Sequence, residues 1–261
     1  GSYISKAKQN GQLTDIGVYF RDLQYGPTFG INEYAEFSPA SLLKLPMMVT
    51  YLTLYEDNHD ILDVSIYYTG KYESDLTQSI KPNVSAVENK KYKIRELIDM
   101  MIKNSDNNSY YVLLDYLNEI STDTQVLRDT FIDLGVIDPQ TELDETITVK
   151  SYAGIFTQLF NSSYFSNKDT SELALDILSK TDFHDGIVAG VPKGVQVAHK
   201  FGERYDLVSN VFQLHDCGVV YFPKNPYLLC IMTKGRNMSD LKNIVSGISK
   251  MVYKEFESRR L

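Results

Sequence analysis

Strand-like alternation marks both ends of this chain, and helix-period stretches fill the space between them. Near the start, Ile16, Val18 and Phe20 alternate with Gly17, Tyr19 and Arg21, the period of two of a half-buried strand. Gly26-Pro27 makes a turn, and residues 28–32 read as a second short strand. The last third returns to strands at 195–202, 211–222 and 227–233, followed by an amphipathic helix over about 239–256. Between these ends, residues 41–57 form a strongly apolar helical stretch closed by Asn58-His59-Asp60. Residues 92–103 place Ile94, Leu97, Ile98, Met101 and Ile102 at 3–4 spacing, a buried stripe. A helix through Tyr111 to Leu117 and others near 122–134, 148–160 and 170–180 complete the middle. Such an order predicts an α+β fold, with both chain ends sharing one antiparallel sheet. A single domain of two lobes is expected, an α/β lobe (about 1–40 and 190–261) and a helical lobe (about 41–189). The cleft between them is the natural place for a site.

Composition narrows the function. The chain has 261 residues, 43% of them apolar and 23% charged, which is ordinary for a globular protein. A net charge of −8 and a pI near 5.1 argue against nucleic acid or an anionic membrane as the main partner. The richest apolar run, 42–55, is interrupted by Lys44 and Pro46 and is too short to span a bilayer. Gly1-Ser2 has the look of a cloning remnant, so an export signal is expected to have preceded it. The four histidines, at 59, 184, 199 and 215, have no metal-ligand spacing, so no metal is expected. The two cysteines, Cys217 and Cys230, flank a hairpin turn at Pro223-Lys224-Asn225-Pro226. Pairing about that turn sets Cys217 opposite Met232 and Cys230 opposite Val219. The sulfurs then lie diagonally, as two buried free thiols; a bridge needs a shifted register.

Three short motifs carry chemistry. In Ser41-Leu42-Leu43-Lys44 the serine opens the apolar helix, near the positive end of its dipole. Lys44 lies one turn on, on the same face. A lysine made neutral by burial can take a proton from serine and create a nucleophile. The bland alternative is a helix cap beside a snorkelling lysine, and the same spacing recurs at Ser5/Lys8 and Ser239/Lys242. Ser105-Asp106-Asn107 is a polar break between apolar helices, which alone reads as a capped turn. Lys200-Phe201-Gly202 ends a strand and alone is unremarkable.

In this order, the three resemble the S-x-x-K, S-D-N and K-T-G set of class A β-lactamases and penicillin-binding proteins. The likeness extends to the segment from Phe37 to Pro46, to Ile94-Arg95-Glu96-Leu97, and to Val197-Ala198-His199-Lys200 and Asp216-Cys217-Gly218-Val219-Val220-Tyr221. It covers roughly residues 15–252. The resemblance implies Ser41 as nucleophile, Lys44 as general base and Ser105 as proton shuttle. It implies Asn107, Lys200, Gly202 and Glu203 as substrate-binding residues, with the N–H groups of Ser41 and Glu203 as the oxyanion hole. It implies no cofactor, a monomer acting on a small β-lactam or a peptidoglycan-type peptide, and an extracytoplasmic location.

Three departures bear on activity. Phe201 stands where relatives carry a hydroxyl, so it cannot hydrogen-bond a penicillin-type carboxylate; Arg204 is the nearest arginine. Only residues 136–147 separate the helix ending at Leu134-Gly135 from the next. There Glu142-Leu143-Asp144-Glu145 lacks the family's E-x-x-L-N pattern, which holds the deacylating glutamate; the loop is expected to turn its carboxylates to solvent. Glu203 follows the third motif and is expected to bring negative charge beside the oxyanion hole. A serine hydrolase that acylates well and deacylates poorly is therefore expected. The alternatives are a D,D-peptidase, a penicillin sensor that stays acylated, and an inactive scaffold.

Overall fold

The computed structural model describes residues 2–72, 78–120, 125–137 and 146–259. The chain opens with α1 (Ser2–Gln9), β1 (Asp15–Asp22), β2 (Thr28–Ile31) and β3 (Glu36–Phe37). A 3₁₀ turn, Ala40–Leu43, leads into α2 (Lys44–Asp57), and β4 (Ser65–Tyr68) and β5 (Lys90–Lys93) form a small ribbon. Then come α3 (Ile94–Lys103), α4 (Asn107–Ile120), α5 (Val126–Asp133), β6 (Ile147–Thr148), α6 (Val149–Phe160) and α7 (Lys168–Leu178). The chain returns through β7 (Val197–Asp206), β8 (Val211–Val220) and β9 (Tyr227–Gly235) to α8 (Met238–Ser258). The fold is α+β, as the alternation at both ends predicts.

The main sheet has the order β2-β1-β9-β8-β7, every pair antiparallel. The two chain ends meet where Val18 pairs with Ile231. Each inner strand feeds two cores because its side chains alternate between faces. On one face Ala198, Cys217, Val219, Leu228, Cys230 and Met232 join the core of the helical layer. On the other, Val18, Phe201, Leu214, Leu229 and Ile231 pack with Leu241, Val245 and Ile248 of α8. Helix α2 runs through the middle of the helical layer, buried from Lys44 to Leu52, which explains why its pattern is apolar all round.

The hairpin corrects the cysteine expectation. The turn closes from the Asn225 N–H to the Phe222 carbonyl, with Lys224 in a left-handed conformation at φ +66°. It is therefore centred one residue earlier than the proline pair suggests, which moves the register by two. Cys217 stands directly opposite Cys230, and the two form a buried disulfide rather than free thiols. Helix α1 and the β4–β5 ribbon are elements that the sequence pattern did not announce. Strand β7 also runs on past Gly202, which carries Glu203 and Arg204 into the sheet.

No helix among the described residues is long and apolar enough to cross a membrane.

Candidate active site

Ser41 lies in the 3₁₀ turn ahead of α2, not on the α-helix itself, and the turn makes no side-chain cap. Ala40 precedes it at φ +48°, a conformation that costs a non-glycine residue energy and must be held by its surroundings. Strand β7 supplies part of that support. At Gly202 a Cβ would meet Leu42 Cγ at 3.0 Å, Leu42 N at 3.1 Å and Pro39 O at 3.2 Å. Only glycine lets the strand lie so close to the serine turn.

His215 of β8 supports the turn from below. Its Nε2–H donates to the Ser38 carbonyl at 3.0 Å, and its Nδ1 accepts from the Thr233 N–H at 3.3 Å. The acceptor role of Nδ1 requires the neutral ring. Complete burial lowers its pKa from 6.5 to about 4. A depressed histidine pKa means that the unfolded chain takes up the proton first as pH falls. Stability should therefore drop between about pH 6.5 and 4, by up to about 3 kcal/mol from this residue, and level off below. Denaturant titrations at pH 7 and pH 4 should show a smaller pH difference in His215→Asn than in the parent protein.

Ser105 sits at the joint between α3 and α4. It adopts φ +57°, and the Asp106 N–H returns to the Met100 carbonyl at 3.2 Å, a left-handed helix end. The Asp106 carboxylate, fully buried, then caps α4. It accepts from Asn108 N at 3.2 Å, from Ser109 N at 2.9 Å and from the Ser109 hydroxyl. It also accepts from Ser85 Oγ at 2.6 Å and Ala86 N at 3.0 Å. The middle residue of the second motif is thus structural, and it aims its neighbours on either side.

These supports bring the motif side chains into one hydrogen-bonded chain. Lys44 Nζ lies 3.0 Å from Ser41 Oγ, 3.2 Å from Ser105 Oγ, 2.5 Å from the Ser105 carbonyl and 2.6 Å from Asn107 Oδ1. Lys200 Nζ completes it, 3.0 Å from Ser105 Oγ and 2.7 Å from the Phe201 carbonyl. Burial, and then the neighbouring Lys44, push the Lys200 ammonium well below the ordinary lysine range, against the pull of Asp216 and Asp182. Ser105 Oγ thus lies between two amines, one of which burial drives toward neutrality, and a proton can pass along this line.

Ser41, Lys44 and Asn107 open onto a cleft of about 430 Å³. Gln78, Tyr110, Tyr111, Glu203, Arg204 and Tyr205 line it as well. Sequence reading did not single out the tyrosines or Gln78. Tyr110 and Tyr111 follow Asn107 by one helical turn, a spacing that shares its face and could have revealed them. Gln78 has no local signature.

Two of the expected departures look different in place. Phe201 joins the core beyond the sheet, where its ring stacks on Phe183 at 4.3 Å between centroids, and the same ring lies 4.4 Å from Lys200 Nζ. The cleft loses a hydroxyl there without gaining a phenyl ring. Glu203 lines the cleft beside Ser41, and its carboxylate is tied to the neighbouring segment. Its Oε1 accepts from Ser79 N at 2.8 Å and from Ile80 N at 3.3 Å. Arg204 reaches the rim and donates to Ser38 Oγ at 2.9 Å. Glu142, Leu143, Asp144 and Glu145 lie outside the described residues. Among the described residues no group of three or more His, Cys, Asp or Glu side chains could hold a metal ion.

A serine turn ahead of a buried helix, lysines on both sides of a second serine and a five-stranded antiparallel sheet make up the architecture of the serine β-lactamase fold. The sequence profile of the β-lactamase enzyme family matches residues 3–256, and the chain belongs to that family. None of the curated proteins compared with the chain matches it. Among solved structures, it is similar to a β-lactamase from Chitinophaga pinensis DSM 2588, with TM-score 0.80 and 18% identity, covering 97% of this chain and 98% of that one. It resembles a class A β-lactamase from Mycobacterium abscessus to the same TM-score of 0.80 at 21% identity, over 98% of each chain. PBP-A matches at TM-score 0.75 and 22% identity, over 98% of this chain and 97% of its own. A mutant of PBP-A, similar at TM-score 0.76, was solved as an acyl-enzyme complex with penicillin G.

Proposed function

We propose that the protein is a serine acyltransferase-type hydrolase that opens β-lactams, or related acyl-D-Ala-type amides, through an acyl-Ser41 intermediate and releases the acyl group slowly. The observation that carries this reading is the continuous chain Ser41 Oγ, Lys44 Nζ, Ser105 Oγ and Lys200 Nζ. Lys44 in its neutral form takes the Ser41 proton as Oγ attacks the carbonyl carbon. Ser105 relays a proton to the leaving nitrogen as the C–N bond breaks. The backbone N–H groups of Ser41 and Glu203 stabilise the oxyanion, and Asn107 holds Lys44 in place while facing the cleft. Each proton transfer uses a side chain of this protein.

Slow release is supported by residues 136–147, which lack an E-x-x-L-N pattern, and by Glu203, a cleft carboxylate committed to two backbone N–H groups. Without a positioned base for water, hydrolysis of the acyl-serine falls on the order of 10²–10⁴-fold. A chromogenic cephalosporin should give a burst of one acyl group per site and then a slow steady state. Rapid turnover with no burst, lost in Glu142→Gln or Glu145→Gln, would instead mark a working β-lactamase with its base elsewhere. A label that persists for many hours would favour the penicillin-sensor reading. An extracytoplasmic location fits the buried Cys217–Cys230 disulfide, since such bonds persist in oxidising compartments.

A further inference from the structure

Residues 78–86 are fastened to both walls of the catalytic region. On the helical side, Gln78 Nε2 donates to the Ser105 carbonyl at 3.1 Å. On the sheet side, the Glu203 carboxylate takes the consecutive N–H groups of Ser79 and Ile80, and Ile80 packs against the core beyond the sheet. Farther along, Asn83 Nδ2 donates to Asp182 Oδ2 at 2.8 Å, and Ser85 and Ala86 hold Asp106. The segment therefore crosses the space between Ser105 and β7, where Lys200 Nζ meets Ser105 Oγ. Burial shows the result. Lys200 is 0% exposed and Ser105 1%, and neither lines the cleft, whereas Gln78 and Glu203 do. Ser41 remains on the open side.

We propose that Glu203 determines which acyl donors the site accepts, because its grip on Ser79 and Ile80 keeps Lys200 and Ser105 behind that segment. The proposal rests on Ser41 being the acylated residue. Neutral acyl donors reach Ser41 along the open cleft. Donors with a carboxylate next to the scissile bond need the hydrogen-bond donors at Lys200 and Ser105, and must first free the two N–H groups from Glu203. A charge-assisted contact of this kind is worth breaking only for a ligand that replaces it. The geometry thus makes an anionic donor slower to enter than a neutral one, though still faster than the release of its acyl group, independently of the chemistry at Ser41.

The test compares acylation of Ser41 by penicillin G, which leaves a penicilloyl group, and by p-nitrophenyl phenylacetate, a neutral ester that leaves the phenylacetyl group penicillin G carries as its side chain, each followed by its own mass increase in the intact protein. Ser79→Pro removes one donor N–H and keeps the carboxylate charge; Glu203→Ala removes the acceptor. The penicillin-to-ester rate ratio should rise at least tenfold in both. Protection of the Ile80 amide from hydrogen exchange should fall in both variants, and that of the Ser79 and Ile80 amides should fall in Glu203→Ala and in the parent protein when penicillin binds. A ratio that rises in Glu203→Ala and Glu203→Gln but not in Ser79→Pro would show that charge alone selects the donor, and would overturn the proposal. An unchanged ratio in both Ser79→Pro and Glu203→Ala would overturn it too. A second arm needs no chemistry: penicillin binding to Ser41→Ala should tighten at least tenfold when Ser79→Pro is added, and no tightening refutes the clasp. If the parent protein accepts neither reagent while this binding arm responds, the acyl-enzyme reading fails and the clasp stands.

Discussion

Ser41→Ala should abolish covalent labelling by penicillin and by activated esters, a fall of at least about 10³-fold, while the folded protein hardly changes. Ser41 makes no helix cap; its hydroxyl accepts from Lys44, which keeps Ser105 and Asn107 as partners when Oγ is gone. The stability change should therefore stay at about 1 kcal/mol or less. Mass spectrometry of the treated proteins, beside their thermal melts, checks both halves. Equal labelling of the two proteins would remove Ser41 from the chemistry and with it the proposed function.

Asp106→Ala should have the largest effect on stability. The buried carboxylate gathers donors from α4 and from the Ser85–Ala86 segment, and its loss leaves several of them without an acceptor. Hydrogen bonds to a charged group contribute about 1.5–3 kcal/mol each and do not add fully, so a loss of about 3 kcal/mol or more is expected in urea unfolding. Asp106→Asn should recover part of it, because one oxygen remains while the new N–H₂ meets existing donors. Labelling of Ser41 should slow in both variants, since Ser105 depends on this joint for its orientation. A loss under about 1 kcal/mol for Asp106→Ala would show that α4 and the neighbouring segment hold the joint without it.

The parts of this protein that could be read from its sequence are those whose chemistry or period is local. Ser41 and Lys44 must be one turn apart to touch, and Asn107 and Ser105 must share one break between helices, so the residue types and spacings survive in the text of the chain. Strands β1, β7, β8 and β9 announce themselves because each has two faces with different neighbours. The turn between β8 and β9 is centred one residue earlier than the proline pair suggests, since Pro223 and Pro226 mark a turn without saying which pair stands at its centre. That single step decided whether Cys217 meets Met232 or Cys230. The orientation of Phe201 follows from strand alternation once Lys200 is placed in the site, yet the triplet read as a motif concealed it. The grip of Glu203 on Ser79 and Ile80 joins residues far apart in the chain, and such a contact leaves no periodic trace in either segment.

The pairing of Val18 with Ile231 also sets an order of events. Strand β1 emerges early in synthesis, and the neighbour that will hold it, β9, comes nearly last. Until then β1 and β2 can form only an isolated hairpin, which is marginal in water. The helical layer, rich in short-range contacts, can gather first, while closure of the sheet waits for the chain to be complete. Refolding should accordingly show helix formation ahead of the burial of β1. In the interval the apolar side of β1 has no partner strand of its own and is open to chaperones.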